Sequence, residues 1–425
     1  MRDNQKITKK MNSKSFTIIL SLLLGSFFGV AAQEVSFEDY MRSVARNNIE
    51  AVAERYNIDI AEANLEASRV FNDPELSVSY GNNQDWDLMM GQNVDVEVGY
   101  NVSLGGLRKA RMSVSEGERD LTMASLDAYM SGLRAEAAIA WSQAWRLRED
   151  CLLMKEELAS MEQIAASDSI RLALGDVSSA DAAQSGLEAK KLKGDLMALE
   201  AEYENALMAL ATMAGGMEIT GLSEEKLPET VSGLQRSDVA DRAEANRADL
   251  RAAEVSGRLS QKNLELIKAS RAMELGLSLG YSFNTEVLNE IAPAPQFNGL
   301  VVGVSVPLKF SSMNKGEIKA ARSAVSQQEA YVEAARRQVR MEAVQAWNTY
   351  STAKEILSRY DGEMLGSAAR ILESRRQGYL KGENSLLEYL SARQTYNEVM
   401  YSYIEACCNC FESGIALQKA VGVSF

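Results

Sequence analysis

A tandem duplication constrains the fold of this 425-residue chain more than any other feature of its sequence. The segment RAEAAIAW at 134–141 returns as RMEAVQAW at 340–347, a shift of 206 positions. Residues 98–104 match 302–308 at a shift of 204, and Gly175 matches Gly382 at a shift of 207. Two repeats with the same substructure are therefore predicted, at 34–215 and 239–425. Periodicity fades between them, and residues 216–238 are interpreted as a linker packed around the middle of the helical part.

Each repeat contains two segments in which apolar and polar residues alternate, as β-strands with one apolar face do. The four strands are predicted at 75–83, 94–104, 273–284 and 297–308. Strands of roughly 9–12 residues are long enough to cross a bilayer at a tilt, although a soluble β-sandwich would also alternate. The long helical segments around these four strands favour the membrane interpretation. Four strands cannot close a barrel, so several chains must share one, and three chains would supply 12 strands.

The helical segments show a seven-residue pattern that is typical of coiled coils. From Leu126 to Ala165 apolar residues recur in steps of four and three, with Ala137, Ala140 and Ala144 in the middle of the run. The helix that carries this seam is predicted at 107–166, about 90 Å long at ~1.5 Å per residue. The predicted fold class is therefore mainly α with transmembrane β, with helices that project far beyond a globular domain.

The first 33 residues have the composition of a secretory signal peptide. Five basic side chains and Asp3 accompany an apolar run that ends in the small residues Ala31 and Ala32, so cleavage is expected near Ala32 or Gln33. A membrane anchor is the alternative, but the run of about 15 residues is shorter than the ~20 that a spanning helix needs. Without this segment the chain keeps 40 basic and 58 acidic side chains. A nucleic-acid partner is not expected, because phosphate binding needs a basic face.

The chain contains no histidine, so it lacks the commonest general base and the commonest transition-metal ligand. We therefore expect no enzymatic activity, no cofactor and no metal centre. The cysteines are Cys151, Cys407, Cys408 and Cys410, and their spacing matches neither a zinc pattern nor good disulfide geometry. They are interpreted as helix-packing residues, and sensing of copper or of oxidants stays open as their alternative role.

Three motifs resemble those of the TolC-like outer membrane efflux proteins. They are DPEL at 73–76, VPL at 306–308, and GYLKGENSLLEYL at 378–390, of which the last is the most specific. The resemblance covers essentially the whole mature chain, and DPEL is similar to the cation-efflux branch of the family. It implies a homotrimer with a 12-stranded β-barrel in the outer membrane lipid of a Gram-negative-type bacterium. It also implies an α-helical barrel through the periplasm, coupled to a periplasmic adaptor protein and an inner-membrane pump, as an exit duct for small molecules or ions.

Two groups of residues are candidates for the wall and the gate of such a duct. Alternation places Glu75, Asp95, Glu97 and Glu274 on the lumen side, where they either select cations or are simply hydrated. The duplication relates Asp181 to Glu388 near the periplasmic tip. By the resemblance, Glu388 falls on one of two acidic constriction positions of the family, Ser391 replaces the second, and Tyr379 falls on a tyrosine that helps to hold the tip closed. The alternative is that Asp181 and Glu388 are solvated acids at helix starts.

Two functions from other classes remain open at this point. The first is a periplasmic coiled-coil scaffold that never enters a membrane, against which the unbroken alternation at 94–104 argues. The second is a metal-binding or redox-responsive protein that uses the cysteines and the 19 methionines. Methionines spread along helical seams usually serve packing, and metal analysis of the purified protein would separate the two interpretations.

Overall fold

The computed structural model describes residues 34–83, 89–223, 226–231, 233–272, 274–307, 315–360 and 362–423. The predicted signal peptide at 1–33 and Leu308, the last residue of the predicted fourth strand, lie outside the described residues. In chain order the elements are α1 (Phe37–Asn47), α2 (Ile49–Ser68), β1 (Glu75–Asn82), β2 (Gln92–Ser103), α3 (Leu107–Leu174), α4 (Ser179–Met213), α5 (Val239–Asn246), α6 (Ala248–Ala269), β3 (Glu274–Asn284), β4 (Phe297–Ser305), α7 (Lys315–Arg359), α8 (Gly362–Leu380) and α9 (Leu386–Val421).

The four strands form one antiparallel sheet in the order β1-β2-β3-β4. β1–β2 is the hairpin of the first repeat, β3–β4 is that of the second, and the β2–β3 pairing joins the two. β2 begins two residues before the predicted start at 94, because the ladder continues to Gln92, whose C=O accepts from the backbone N–H of Thr285 at 2.9 Å. β4 ends at Ser305, earlier than predicted and shortly before Pro307, which has no N–H to donate to a ladder.

The first repeat contains the very long helix that the sequence predicts. α3 has 68 residues, so it is about 100 Å long at ~1.5 Å per residue. Every residue of the predicted seam from Leu126 to Ala165 is buried or half-buried, and Ala137, Ala144 and Met161 are fully buried. No helix in the described ranges combines the length and the apolar composition that a membrane-spanning helix requires.

The second repeat differs from the prediction that each repeat contains one very long helix. The single long helix predicted there is divided into α7, which ends at Arg359, and α8, which begins at Gly362. At the break the backbone N–H of Tyr360 bonds to the C=O of Leu357 at 3.1 Å, a tighter turn than the α-helical one.

Two compact units are present, and each has its own core. In the first unit, residues 34–44 and 140–227, Trp141 packs against Tyr40 and Phe37 with ring centroids 5.2 Å and 5.7 Å apart. Leu210 of α4 is fully buried in the same unit. Part of the predicted linker belongs to it as well, since the backbone N–H of Val35 donates to the C=O of Gly221 at 3.0 Å.

The second unit comprises residues 45–139 and 228–425. Its core joins α5, α6, α7 and α9 with one linker residue, Val231, and its fully buried members include Val239, Ala343, Leu417 and Val421. Leu417 is the duplicate of Leu210 at a shift of 207, and both are fully buried. The repeats therefore use equivalent helix positions to build their two cores.

Candidate functional site

The polar face of the sheet carries all four acidic side chains that the sequence assigns to the lumen wall. Strand register pairs Ser79 with Asp95, Ser77 with Glu97, Glu75 with Gly99, and Ser103 with Glu274. Directly paired residues project from the same side of a sheet, so the four carboxylates share one face. The strands contain no lysine or arginine, so this face carries negative charge only.

Small polar residues surround these carboxylates. The Asp95 carboxylate accepts hydrogen bonds from Asn93 Nδ2 at 2.7 Å and from Ser79 Oγ at 3.3 Å. Further along the face, Gly303 lies beside Ser278, and a Cβ at Gly303 would collide with the serine hydroxyl. Gly299 stands in the same relation to Ser282. Glycine and serine therefore give this face small side chains and many hydroxyl groups. Such a surface is suited to contact with water.

The opposite face of the sheet is apolar, and many of its side chains are exposed in the described part of the chain. The exposed large apolar side chains on this face are Leu76, Val78, Tyr80, Val96, Val98, Leu277, Leu279, Tyr281, Leu300, Val302 and Val304. An apolar surface that runs across all four strands is typical of a membrane or protein contact. The sheet therefore has one face suited to water and one suited to lipid.

The helical turn of the second repeat places Glu388 at the start of α9. Gly382 has a φ of 77°, a conformation that glycine adopts without strain, and it ends the chain reversal after α8. Ser385 and Glu388 form a capping box, in which Ser385 Oγ accepts from the N–H of Glu388 at 3.3 Å and the Glu388 carboxylate accepts from the N–H of Ser385 at 2.9 Å. Arg375 lies 3.8 Å from that carboxylate. In this geometry Glu388 caps the start of a helix, which is the role that the sequence offered as the alternative to a gate.

Tyr379 and Ser391 occupy different environments in the same hairpin. Tyr379 is only 3% exposed and stacks on Tyr389, with ring centroids 6.1 Å apart and an interplanar angle of 15°. Ser391 is exposed, and its C=O accepts from Thr395 Oγ1 at 3.1 Å. Tyr379 thus packs α8 against α9 within the protomer, whereas Ser391 faces solvent.

The first repeat has an equivalent turn around Asp181. Gly175 has a φ of 83°, and Ser178 caps α4 by accepting from the N–H of Asp181 at 3.0 Å. The Ser178 hydroxyl in turn donates to the Asp181 carboxylate at 2.7 Å. Ser178 and Asp181 lie 207 positions before Ser385 and Glu388, so the duplication preserves a capped acidic helix start in each repeat.

The cysteines lie in packed helix positions. Cys151 and Cys408 are buried, Cys407 and Cys410 are half-buried, and all four are free thiols. Burial raises the pKa of Cys151 and of Cys410, which disfavours the reactive thiolate. Within the described ranges no three potential ligands among histidine, cysteine, aspartate and glutamate are grouped closely enough to hold a metal ion.

One buried acid on α3 was not singled out from the sequence. The Asp150 side chain is nearly inaccessible, with Arg146 Nη1 3.1 Å away. Burial raises the pKa of Asp150 to about 6, the attraction of Arg146 opposes the rise, and repulsion from Glu149 adds to it. The only feature of the sequence that points to the burial of Asp150 is its position between the seam residues Leu147 and Cys151.

Comparison with known proteins finds related sequences. Residues 239–423 match the family model described as outer membrane efflux protein. The chain is 22% identical over 405 residues to the cobalt-zinc-cadmium resistance protein CzcC of Cupriavidus metallidurans, and the match covers 92% of this chain and 91% of that protein. It is 22% identical over 334 residues to the pyoverdine export outer membrane protein OpmQ of Pseudomonas putida, with coverage of 75% and 67%.

Solved structures show the same fold. The CusC structure superposes with a TM-score of 0.74 at 16% identity, over 91% of this chain and 92% of that chain. The CmeC outer membrane channel of Campylobacter jejuni gives a TM-score of 0.74 at 15% identity, over 91% and 85%. Together with the two-faced sheet and the long paired helices, these similarities show that this chain has the TolC-like fold, and its residues 239–423 resemble the outer membrane efflux proteins.

Proposed function

We propose that three copies of this chain form a passive exit duct that favours cations, coupled to a periplasmic adaptor protein and an inner-membrane pump. The sheet itself supports shared assembly. Within the described residues, its outer strands β1 and β4 have no neighbouring strand on their outer sides, and four strands are fewer than the ~8 that the smallest closed membrane barrels contain. Three copies supply 12 strands, and a barrel of 12 strands is wide enough for a water-filled passage.

The observation that carries the cation preference is the charge of the polar sheet face. Each copy contributes Glu75, Asp95, Glu97 and Glu274 to this face, and no basic residue from any strand. Rings of carboxylates attract cations into a pore and repel anions. The curated relative CzcC is named for resistance to cobalt, zinc and cadmium, whose common ions are divalent cations. Hydrated metal cations are therefore the substrate class that we assign to the duct.

This assignment predicts the ion selectivity of the purified channel in planar bilayers. Under a KCl gradient we expect a reversal potential of the sign that cation permeation produces. Replacing both Asp95→Asn and Glu97→Gln should move this potential toward zero, because two of the four carboxylates per copy lose their charge. Glu66→Gln is the matched control, since Glu66 is an exposed acid on α2, outside the sheet. A non-selective wild-type channel, or equal shifts in the control, would refute the cation preference.

We further propose that the two capped turns form the periplasmic constriction, with Glu388 and Asp181 as its charges. Glu388 is about half exposed beside Arg375, so its carboxylate is accessible to a passing ion. Ser391, one helical turn further along α9, supplies a hydroxyl where the family has a second acid. Tyr379 contributes indirectly, because its stacking on Tyr389 holds α8 and α9 together at the turn.

The gate predicts how divalent cations block the channel. Glu388→Gln removes the charge but keeps an oxygen that can cap the helix, so it should weaken block from the periplasmic side without unfolding the turn. Tyr379→Ala combined with Asp181→Ala should raise single-channel conductance, because this variant loses both the ring that stacks on Tyr389 and the charge at the first-repeat turn. The control is Glu383→Gln, an exposed acid in the same turn. Unchanged block in Glu388→Gln together with unchanged conductance in the double variant would remove these residues from the gate.

A further inference from the structure

Two apolar side chains interrupt the polar face of the sheet. Phe297 and Val301 of β4 pair with Asn284 and Gly280 of β3, so both project from the same side as the four carboxylates. Among the strand residues that the structure describes, every other residue on this face is an acid, an asparagine, a serine or a glycine. Phe297 and Val301 are each 55% exposed, so they offer apolar surface to a molecule that lies on this face.

The two repeats differ at these positions. At the shift of 204 that relates β2 to β4, Phe297 is the equivalent of Asn93, and Val301 is the equivalent of Glu97. β2 therefore carries an amide and a carboxylate where β4 carries a phenyl ring and an isopropyl group. In an assembly of several copies, the polar face would present acidic strips from β2 and apolar strips from β4 in alternation.

A glycine separates the acidic strip from the apolar strip. Gly280 of β3 pairs with Glu97 on one side and with Val301 on the other, and a Cβ at Gly280 would lie 3.7 Å from the Cβ of each. Two strand spacings separate Glu97 from Val301, roughly 10 Å at ~4.8 Å per spacing. Asp95 on β2 and Phe297 on β4 extend the two sides toward the hairpin loops. These five residues form a shallow notch with carboxylates on one wall and apolar groups on the other.

Two common roles of aromatic residues in membrane barrels do not fit Phe297. Aromatic girdles face lipid, whereas Phe297 projects from the polar face of the sheet. A hydrophobic seal would require the rings of all copies to meet. A barrel of 12 strands with ~4.8 Å spacing and ~40° tilt is about 24 Å across between backbones, which is too wide for three phenyl rings to close. A local binding site on the wall fits the position of Phe297 instead.

The two walls of the notch together select an organic cation with an apolar body. The carboxylates of Asp95 and Glu97 attract positive charge, and the four strands supply no lysine or arginine that would compete for them. Phe297 and Val301 gain from covering apolar surface, and a phenyl ring also attracts quaternary ammonium groups. A hydrated metal ion gains nothing from the apolar wall, and the carboxylates repel an apolar anion.

We propose that this notch is a wall site at which the duct binds organic cations that carry an aromatic or alkyl body. The inference rests on the proposed cation-favouring duct, and it adds a class of solute that the carboxylates alone do not distinguish from metal ions. The notch is open to water on one side, so binding there is weak. A weak site suits a duct, because a conducted solute must leave as readily as it enters.

Benzyltrimethylammonium tests the notch, with tetramethylammonium as a probe of the same charge without the ring. Binding to the full-length channel in lipid nanodiscs is followed by saturation-transfer NMR of the probe, after subtraction of the signal from empty nanodiscs. Phe297→Ser combined with Val301→Thr should raise the Kd of benzyltrimethylammonium about fivefold or more and leave that of tetramethylammonium unchanged. Asp95→Asn with Glu97→Gln should weaken the binding of both probes. The control is Asn101→Ser, on the same face but further along β2, which should change neither Kd.

Conductance and reversal potential are measured separately on the same preparations. If the channel conducts and selects cations, but the double variant at Phe297 and Val301 binds benzyltrimethylammonium as tightly as the wild type, the notch is not a site and the duct function stands. Equal weakening of both probes in that variant would also refute the apolar wall. A wild-type channel without conductance or cation selectivity would refute the proposed function itself. Should the double variant not assemble, Val301→Thr alone, a change of similar shape that strands accommodate, should still weaken benzyltrimethylammonium binding about twofold, and an unchanged Kd would refute the site.

Discussion

Replacing Val302 by arginine is expected to reduce the amount of assembled channel in outer membranes to a small fraction of the wild-type level. Val302 is 73% exposed and lies near the middle of β4, on the apolar face of the sheet. An arginine on the lipid face near the bilayer midplane costs about 2–4 kcal/mol, and a trimer carries three copies of the change. Even the lower value is more than a tenfold change in an equilibrium constant for each copy.

The control for this variant is Asn101→Arg, on the polar face of β2. There the new guanidinium would face water and the acidic side chains, so we expect assembly close to the wild-type level. The measurement is the yield of SDS-resistant oligomer in isolated outer membranes at equal expression. Equal loss in both variants would show that the apolar face does not contact lipid.

The second large effect is expected from Trp141→Ala in the first unit. Trp141 is 0% exposed and packs edge-on against Phe37 and closely against Tyr40. Truncating a buried tryptophan leaves a cavity and typically costs about 3–5 kcal/mol. We expect a correspondingly lower urea midpoint for unfolding of the helical part, followed by circular dichroism.

The duplication supplies the control for this experiment. Trp347 occupies the equivalent position of the second unit and is only partly buried against its core. Trp347→Ala should therefore destabilise the protein less than Trp141→Ala does. A loss of unfolding free energy that is equal in the two variants, or smaller for Trp141→Ala, would contradict the packing difference between the two units.

The comparisons bear on the functions that the sequence left open. The similarity of residues 239–423 to the outer membrane efflux proteins, and of the chain to CzcC, favours the proposed duct over a periplasmic scaffold. The candidate site residues fall into two groups with different outcomes. Alternation predicted that Glu75, Asp95, Glu97 and Glu274 face the lumen; the register places all four on one face of the sheet, and the lumen position of that face stays a prediction. The roles of Glu388, Asp181, Tyr379 and Ser391 in gating stay predictions.

Properties that repeat at short range could be obtained from the sequence alone. Strand alternation has a period of two residues and the helical seam one of seven, so both are visible in residue order. The duplication at a nearly constant shift needed no structure either. From these came the four strands, the seam of α3, the turns near Gly175 and Gly382, and the expectation of a shared barrel.

Tertiary structure decided what depends on contacts between distant residues. The break between α7 and α8 lies in a periodic segment, so periodicity did not reveal it. The burial of Asp150 and Tyr379 depends on which neighbouring helix covers them, and residue order does not encode this directly. The β2–β3 pairing joins residues 171 to 191 positions apart, and only the folded sheet shows its register. Burial then distinguished Val255, which is 7% exposed, from its equivalent at a shift of 199, Tyr56, which is 61% exposed, because equivalent positions in a duplicated chain have different neighbouring helices.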